Sequence, residues 1–316
     1  MAYQNIPVAN GYQVVEQIAA FAATAGWTVH RNEESSFNSN FRIVTLSDGI
    51  GAYITLAGKN NRIYLNGHRG IDTGSDWNNQ PDQYVDTTDD GVKVDTYCRV
   101  RLNVTPILSV YLFGGASPKP YLYAAIEVEP GYYRHITMGY FEKFGTALGG
   151  LFWDIAETSD SPRSIAHESS NKYPLVYNSR NRDHDNTKGG FDAQDRNGDP
   201  VWVAFGTDFH AGYKIGGYWG NEFYSQIQVS PIRFNSRIPF ITPLVSISNL
   251  GLVPYGIAPA LRYVNMAYLL PGDEITMGTE TWKVFPLIRN APASGEDFGD
   301  YDEEGSSDYG IAYLKG

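Results

Sequence analysis

Two runs of strand-forming residues, "YLYAAIEVE" and "YYRHITMGY", flank Pro130-Gly131 near the middle of the chain. Proline is preset for the first central position of a tight turn and glycine for a positive φ at the next, so the chain must double back there. A hairpin of this length points to an antiparallel, β-rich core. With a two-residue loop, Glu127 falls opposite Arg134, Ile126 opposite His135 and Val128 opposite Tyr133. Cross-strand neighbours share a face, so this register predicts an outer Glu127–Arg134 ion pair and a half-buried His135. A single bulge residue would shift every one of these pairings. The residue types also suit a general base, His135 oriented by a carboxylate. No nucleophile is marked for it, however: G-x-S-x-G is absent, and "SSNK" at 169–172 matches S-x-x-K without its companion motifs. Architecture is the better reading of the cluster.

The composition agrees with a packed β fold. Hydrophobic residues make up 42% and charged residues 19% of the 316, which is globular and not disordered. Abundant Gly, Tyr and Phe beside scarce Met favour strands joined by many turns. The net charge of −11 argues against a nucleic-acid partner, because neutralising phosphate takes clustered Lys and Arg. Cys98 is the single cysteine, which rules out an intrachain disulfide and a thiolate zinc site; it reads as a small buried hydrophobe. "MAYQNIPVANGY" has no basic region ahead of an apolar run, so no secretory signal is expected. The most apolar run, "VVEQIAAFAATA", is broken by Glu16 and Gln17, so no membrane span is expected either. The expectation is a soluble protein made in the cytoplasm, with no membrane partner.

One helix stands out in "NGYQVVEQIAAFAATAGW". Val14, Ile18, Phe21, Ala22 and Ala25 share one face at helical spacing. Asn10 is placed to cap it, with Gln13 three residues on, and Gly26 supplies the left-handed stop. "FRIVTLSDG", "GAYITLAGKNNRIYLNG", "YCRVRLNV" and "TPILSVYLFGG" then read as strands, with a hairpin at "GKNN". Residues from about 158 to 200 are polar and turn-rich and read as long loops. Strands resume at "PVWVAFG" and "EFYSQIQVS", and "RFNSRIPFITPLVSISN" reads as extended, proline-punctuated chain. "TMGTETWKVFP" predicts a hairpin around Gly278, and "IAYLKG" a closing strand. The fold class is therefore α+β, mostly β: an N-terminal helix packed on antiparallel sheet, long loops and a second β-rich part. Residues 1–155 would hold the helix and its sheet, and 156–316 the loop-rich β part, unless the two form one composite domain.

Four further constellations have ordinary explanations. "DAQDRNGDP" alternates Asp195, Asn197 and Asp199 about Gly198, but Ala193 stands where a calcium loop needs an acid. "RDHDN" around His184, with His167, Glu168 and His210, lacks the spacing of known metal sites. The acidic stretch Glu296, Asp297, Asp300, Asp302, Glu303 and Glu304 is interleaved with Phe298 and Tyr301, so it reads as a solvated loop or a docking strip for a basic neighbour. Tyr213, Tyr218, Trp219 and Tyr224 could stack on sugar, but suit a core or a protein interface as well. No metal or other cofactor is expected.

"YRHITMGYFEKFGTALGG" resembles a segment of a family of tailed-bacteriophage virion proteins, which carries Y-R-H, then Gly, then E-K-F-G-x-x-x-G-G. "PGDEITMGTETWKVFP" followed by Arg289 is similar to the family's second signature, and the opening helix-Gly-Trp-strand pattern also fits. The resemblance spans both ends of the chain; 158–200 shows nothing that matches. It implies a structural role in the particle, most of all in the tail or baseplate, with no catalytic residues. Tyr132, Arg134, His135, Phe144 and Gly145 would then maintain the fold or a contact between subunits; Trp219, Phe298 and Tyr301, which lie outside both signatures, are candidate interface anchors by residue type alone. The implied partners are other virion proteins and copies of the chain itself, and the implied location is the virion. A neck or capsid position is an alternative, as is a module binding host-surface glycan through the 158–200 loops and Tyr213–Tyr224. A glycoside hydrolase would need two carboxylates about 5–9.5 Å apart, which spacing along the chain does not reveal.

Overall fold

Alternation along the central strands produces two cores, one on each face of a single sheet. The computed structural model describes residues 1–36, 40–47, 49, 51–87, 93–95, 98–102, 106–116, 120–145, 149–156, 189–194, 199–204, 214–215, 240–242, 244–248, 252–266, 269–286 and 309–316. Its central sheet has seven strands in the order Ala2–Pro7, Ser109–Gly115, Tyr121–Glu129, Tyr132–Tyr140, Leu151–Ala156, Gly190–Gln194 and Pro200–Ala204. Each neighbouring pair is antiparallel. Successive side chains of a strand point to opposite faces. Leu112, Leu122, Ala124, Ile126, Ile136, Met138 and Trp153 therefore join one core, and Phe113, Tyr121, Tyr123, Tyr133, Phe152 and Phe191 the other. Burying each large apolar side chain contributes about 1.5–3 kcal/mol, so a sheet covered on both faces is the energetic centre of the fold.

The first face is covered by the helix Gly11–Ala22 and a sheet of five strands, Thr28–Glu34, Arg42–Ser47, Tyr53–Lys59, Arg62–His68 and Cys98–Arg101. The helix starts as its sequence predicts. Asn10 Oδ1 accepts the Gln13 N–H at 3.0 Å, and Gln13 Oε1 accepts the Ala9 N–H at 2.8 Å. Gly26, at φ 80°, ends the short 3-10 turn Ala23–Ala25 that follows. Val14, Val15, Ile18, Phe21 and Ala22 are all buried. Beyond the helix the two sheets meet directly. There the missing side chain of Gly67 lets the Trp153 ring lie against the strand backbone.

The second face packs on a five-stranded sheet ordered Phe240–Ile241, Leu261–Asn265, Tyr309–Leu314, Glu280–Pro286 and Glu274–Met277. Tyr263, Phe285, Ile311 and Tyr313 face the central sheet, while Val264, Trp282, Val284 and Ala312 form a smaller core behind it. A four-stranded sheet (Glu142–Lys143, Leu252–Ile257, Leu244–Ser248, Lys214–Ile215) and a two-stranded ribbon (Val85–Thr87, Lys93–Asp95) complete the described elements. The chain is thus mostly β, with one short α-helix among the described residues packed on antiparallel sheet. The expected hairpins close between Lys59 and Arg62 and between Met277 and Glu280. Strands from both sides of residue 155 share the central sheet.

Two expectations need correction. Gly190–Gln194 lies in a stretch read as polar loop, yet it pairs as a central-sheet strand because Phe191 and Ala193 enter the aromatic core. The Pro130-Gly131 hairpin is also shifted by one residue from the two-residue-loop register. A bulge between Glu127 and Glu129 places Ile126 opposite Arg134, Ala125 opposite His135 and Glu127 opposite Tyr133.

Candidate functional site

The bulge decides where the polar residues of the hairpin go. Glu127 makes no ion pair with Arg134, because the shift puts the two on opposite faces. Its carboxylate instead accepts from Ser109 Oγ at 3.2 Å, Tyr111 Oη at 3.4 Å and the Gly131 N–H at 3.4 Å, bracing the turn. Tyr132 and Arg134 are buried on the first face, at 4% and 1% exposure. Such depth for a guanidinium is uncommon and marks it as part of the core structure.

His135 is fully buried between the central sheet and the C-terminal sheet, not half-buried as its pattern suggests. Nε2 lies 3.0 Å from the Pro286 carbonyl and Nδ1 lies 3.0 Å from the Tyr313 hydroxyl. A carbonyl can only accept, so Nε2 carries the proton and Nδ1 accepts from Tyr313. Burial pushes the imidazole down to about 4; the Pro286 carbonyl opposes this, and the Arg134 charge adds to it. The Phe285 and Tyr313 rings lie against the imidazole, and Tyr111 and Tyr133 pack on Phe285 in turn, with centroids 5.0 Å and 5.1 Å apart. Tyr123, deeper in the same layer, donates to the Pro259 carbonyl, and burial raises its phenol well above the ordinary range. Both imidazole nitrogens are thus committed within the fold, which leaves neither to a substrate.

Phe144 and Gly145 follow the short strand Glu142–Lys143 and lie at the surface. The Phe144 N–H bonds the Tyr255 carbonyl at 3.0 Å, while its ring is 60% exposed. Nearby, Asp192 Oδ1 accepts the N–H groups of Gly150 at 2.8 Å and Leu151 at 2.6 Å. Burial raises this carboxyl, while those N–H groups and the charges of Arg69 and Lys143 lower it. The start of "DAQDRNGDP" is therefore a backbone clasp. Trp219, Phe298 and Tyr301 lie outside the described residues, as do Asp195, Asn197, His167, Glu168, His184, His210, the "SSNK" stretch and the acidic stretch from Glu296 to Glu304. Cys98 is buried, as expected.

A second polar cluster was missed in the sequence. Arg31, Thr45, Thr55 and Asn66 stand directly opposite one another across four adjacent strands of the N-terminal sheet. They lie on the face turned away from the helix, yet exposure is 4% for Arg31 and 0% for the other three. Residues 69–84 pass over this face. Arg31 Nη1 donates to the Ser75 carbonyl at 3.2 Å, and its Nε pairs with Glu33 at 2.9 Å. Trp77 stacks against Phe41 and packs, tilted, against Tyr64. Gln80 holds the cover together, accepting from the Asp72 N–H at 2.9 Å and donating to the Asp76 carbonyl at 2.8 Å.

Beneath the cover, hydrogen bonds run in one direction. His68 Nδ1 donates to the Gly70 carbonyl, so Nε2 accepts from Thr55 Oγ1 at 2.7 Å, and Thr55 in turn accepts from Thr45 at 2.8 Å. Burial holds His68 down at about 4; the Gly70 carbonyl opposes the shift and the Arg31 charge adds to it. Hydroxyl, imidazole and carbonyl stand in the order of an activated nucleophile. Thr55 and His68 are both fully buried, though, and the line serves to fasten the cover to the sheet. Alternating polar residues within "FRIVTLS", "AYITLAG" and "RIYLNGH" were the available signal, but such residues read as a solvent face.

Among the described residues no group of three or more His, Cys, Asp or Glu could hold a metal ion, and no helix is long and apolar enough to cross a membrane. No protein-family model matches the chain, and no curated protein is similar to it in sequence.

Proposed function

We propose that the protein is a structural component of a tailed-phage virion, placed in the tail or baseplate, and that it acts by subunit assembly and not by catalysis. One observation carries this reading beside the resemblance of its two signatures. The polar residues of the first signature, Arg134 and His135, are spent inside the fold at 1% and 0% exposure, while Phe144 of the same signature is left 60% exposed. A segment that locks two sheets together and ends in an exposed aromatic suits a scaffold that presents an anchor to its neighbour. Gold-labelled antibody on intact particles tests this. Label at the tail end in several copies supports the proposal; label at the neck or head moves the position; particles without label remove it.

A further inference from the structure

We infer that an ordered water is built into the N-terminal sheet, held between Asn66 and Arg99. Asn66 is fully buried, and neither its amide nitrogen nor its amide oxygen has a hydrogen-bond partner. Arg99 Nε is likewise buried without a partner. The two side chains share a face, because Tyr64 pairs with Arg99 and Asn66 lies two residues further along the same strand. Diagonal neighbours of this kind sit about 7–8 Å apart at their Cα atoms, within reach of long side chains.

The unmet atoms specify what fits between them. Arg99 Nε and Asn66 Nδ2 can only donate, and Asn66 Oδ1 can only accept. An anion would meet the two donors and leave Oδ1 against a negative charge. A cation would face the guanidinium. A water accepts and donates at once, and its usual two to four partners are these atoms. Leaving buried polar groups unmet costs more than an ordinary hydrogen bond contributes, so the amide has strong reason to retain it. The bridge has a structural consequence. Cys98–Arg101 is a four-residue edge strand, and the water would tie its outward face to Arg62–His68 beneath the cover formed by residues 69–84.

A high-resolution crystal structure of the intact chain tests the inference. A density peak about 2.7–3.2 Å from both the Asn66 amide and Arg99 Nε is expected. No peak, with the amide and guanidinium bonded to each other or to other protein atoms, overturns it. A double-mutant cycle gives an independent readout. If one water joins the two residues, Asn66→Leu and Arg99→Met lower the melting temperature by less in combination than the sum of their separate effects. Strictly additive losses count against the bridge, and a variant that fails to fold leaves the wild-type density to decide.

Discussion

The Tyr313 hydroxyl donates to His135 Nδ1 at 3.0 Å, joining the closing strand to the central sheet across 178 residues of chain. The ring of Tyr313 also stacks on Phe113, with centroids 5.1 Å apart. Packing and hydrogen bond can be separated by one substitution. Tyr313→Phe keeps the ring and leaves His135 Nδ1 buried without a donor, an expected loss of about 1–3 kcal/mol. Urea unfolding of the two proteins measures it; equal midpoints with equal slopes would show that the bond contributes nothing.

His135 and His68 are each held at about 4 against an ordinary value of 6.5. Between those values the unfolded chain binds protons that the folded chain refuses. Stability is therefore full above the unfolded value, falls as pH drops from about 6.5 towards 4, and loses nothing more from these groups below that. Each shift corresponds to roughly 3 kcal/mol. Thermal unfolding across this range is expected to show the fall, and His135→Gln should remove part of the slope. An unchanged slope in that variant would mean His135 protonates as freely folded as unfolded.

Gly67 and Gly131 are both needed, for different reasons. A side chain at Gly67 would run into the Trp153 ring, whereas Gly131 has φ 78° and open space around it. Gly67→Ala is expected to cost about 1–3 kcal/mol by overpacking, and Gly131→Ala about 1–2 kcal/mol by backbone strain. Trp153→Leu separates the two mechanisms. In that background the Gly67→Ala loss shrinks and the Gly131→Ala loss stays, as read by denaturant midpoints.

Phe144 tests the assembly reading without disturbing the fold. Its ring is 60% exposed, so Phe144→Ser is expected to change stability by no more than about 0.5 kcal/mol. Incorporation into particles, followed by immunoblot of purified virions, should fall. Normal incorporation of a normally folded variant would remove Phe144 as an anchor.

Features set by neighbours in the chain were legible without the structure. Asn10, Gln13 and Gly26 delimit the helix through contacts within a few residues. Asn60-Asn61 and Gly278-Thr279 close hairpins whose geometry depends on the turn alone. Gly190–Gln194 was not legible, because a five-residue strand carries too few alternations to stand out among polar neighbours.

What the sequence by itself determined was the class of fold: the helix, most of the strands and where the tight turns fall. Tertiary structure decided the register and the destination of the polar groups. The bulge beside Val128 sent Glu127 to the turn and His135 to a buried junction, where Tyr313 and Pro286 meet its hydrogen bonds. Arg31, Thr45, Thr55 and Asn66 became a buried row only because residues 69–84 cover them. An alternating polar residue has the same pattern whether it meets water or another segment, and the segment that excludes the water comes from elsewhere in the chain.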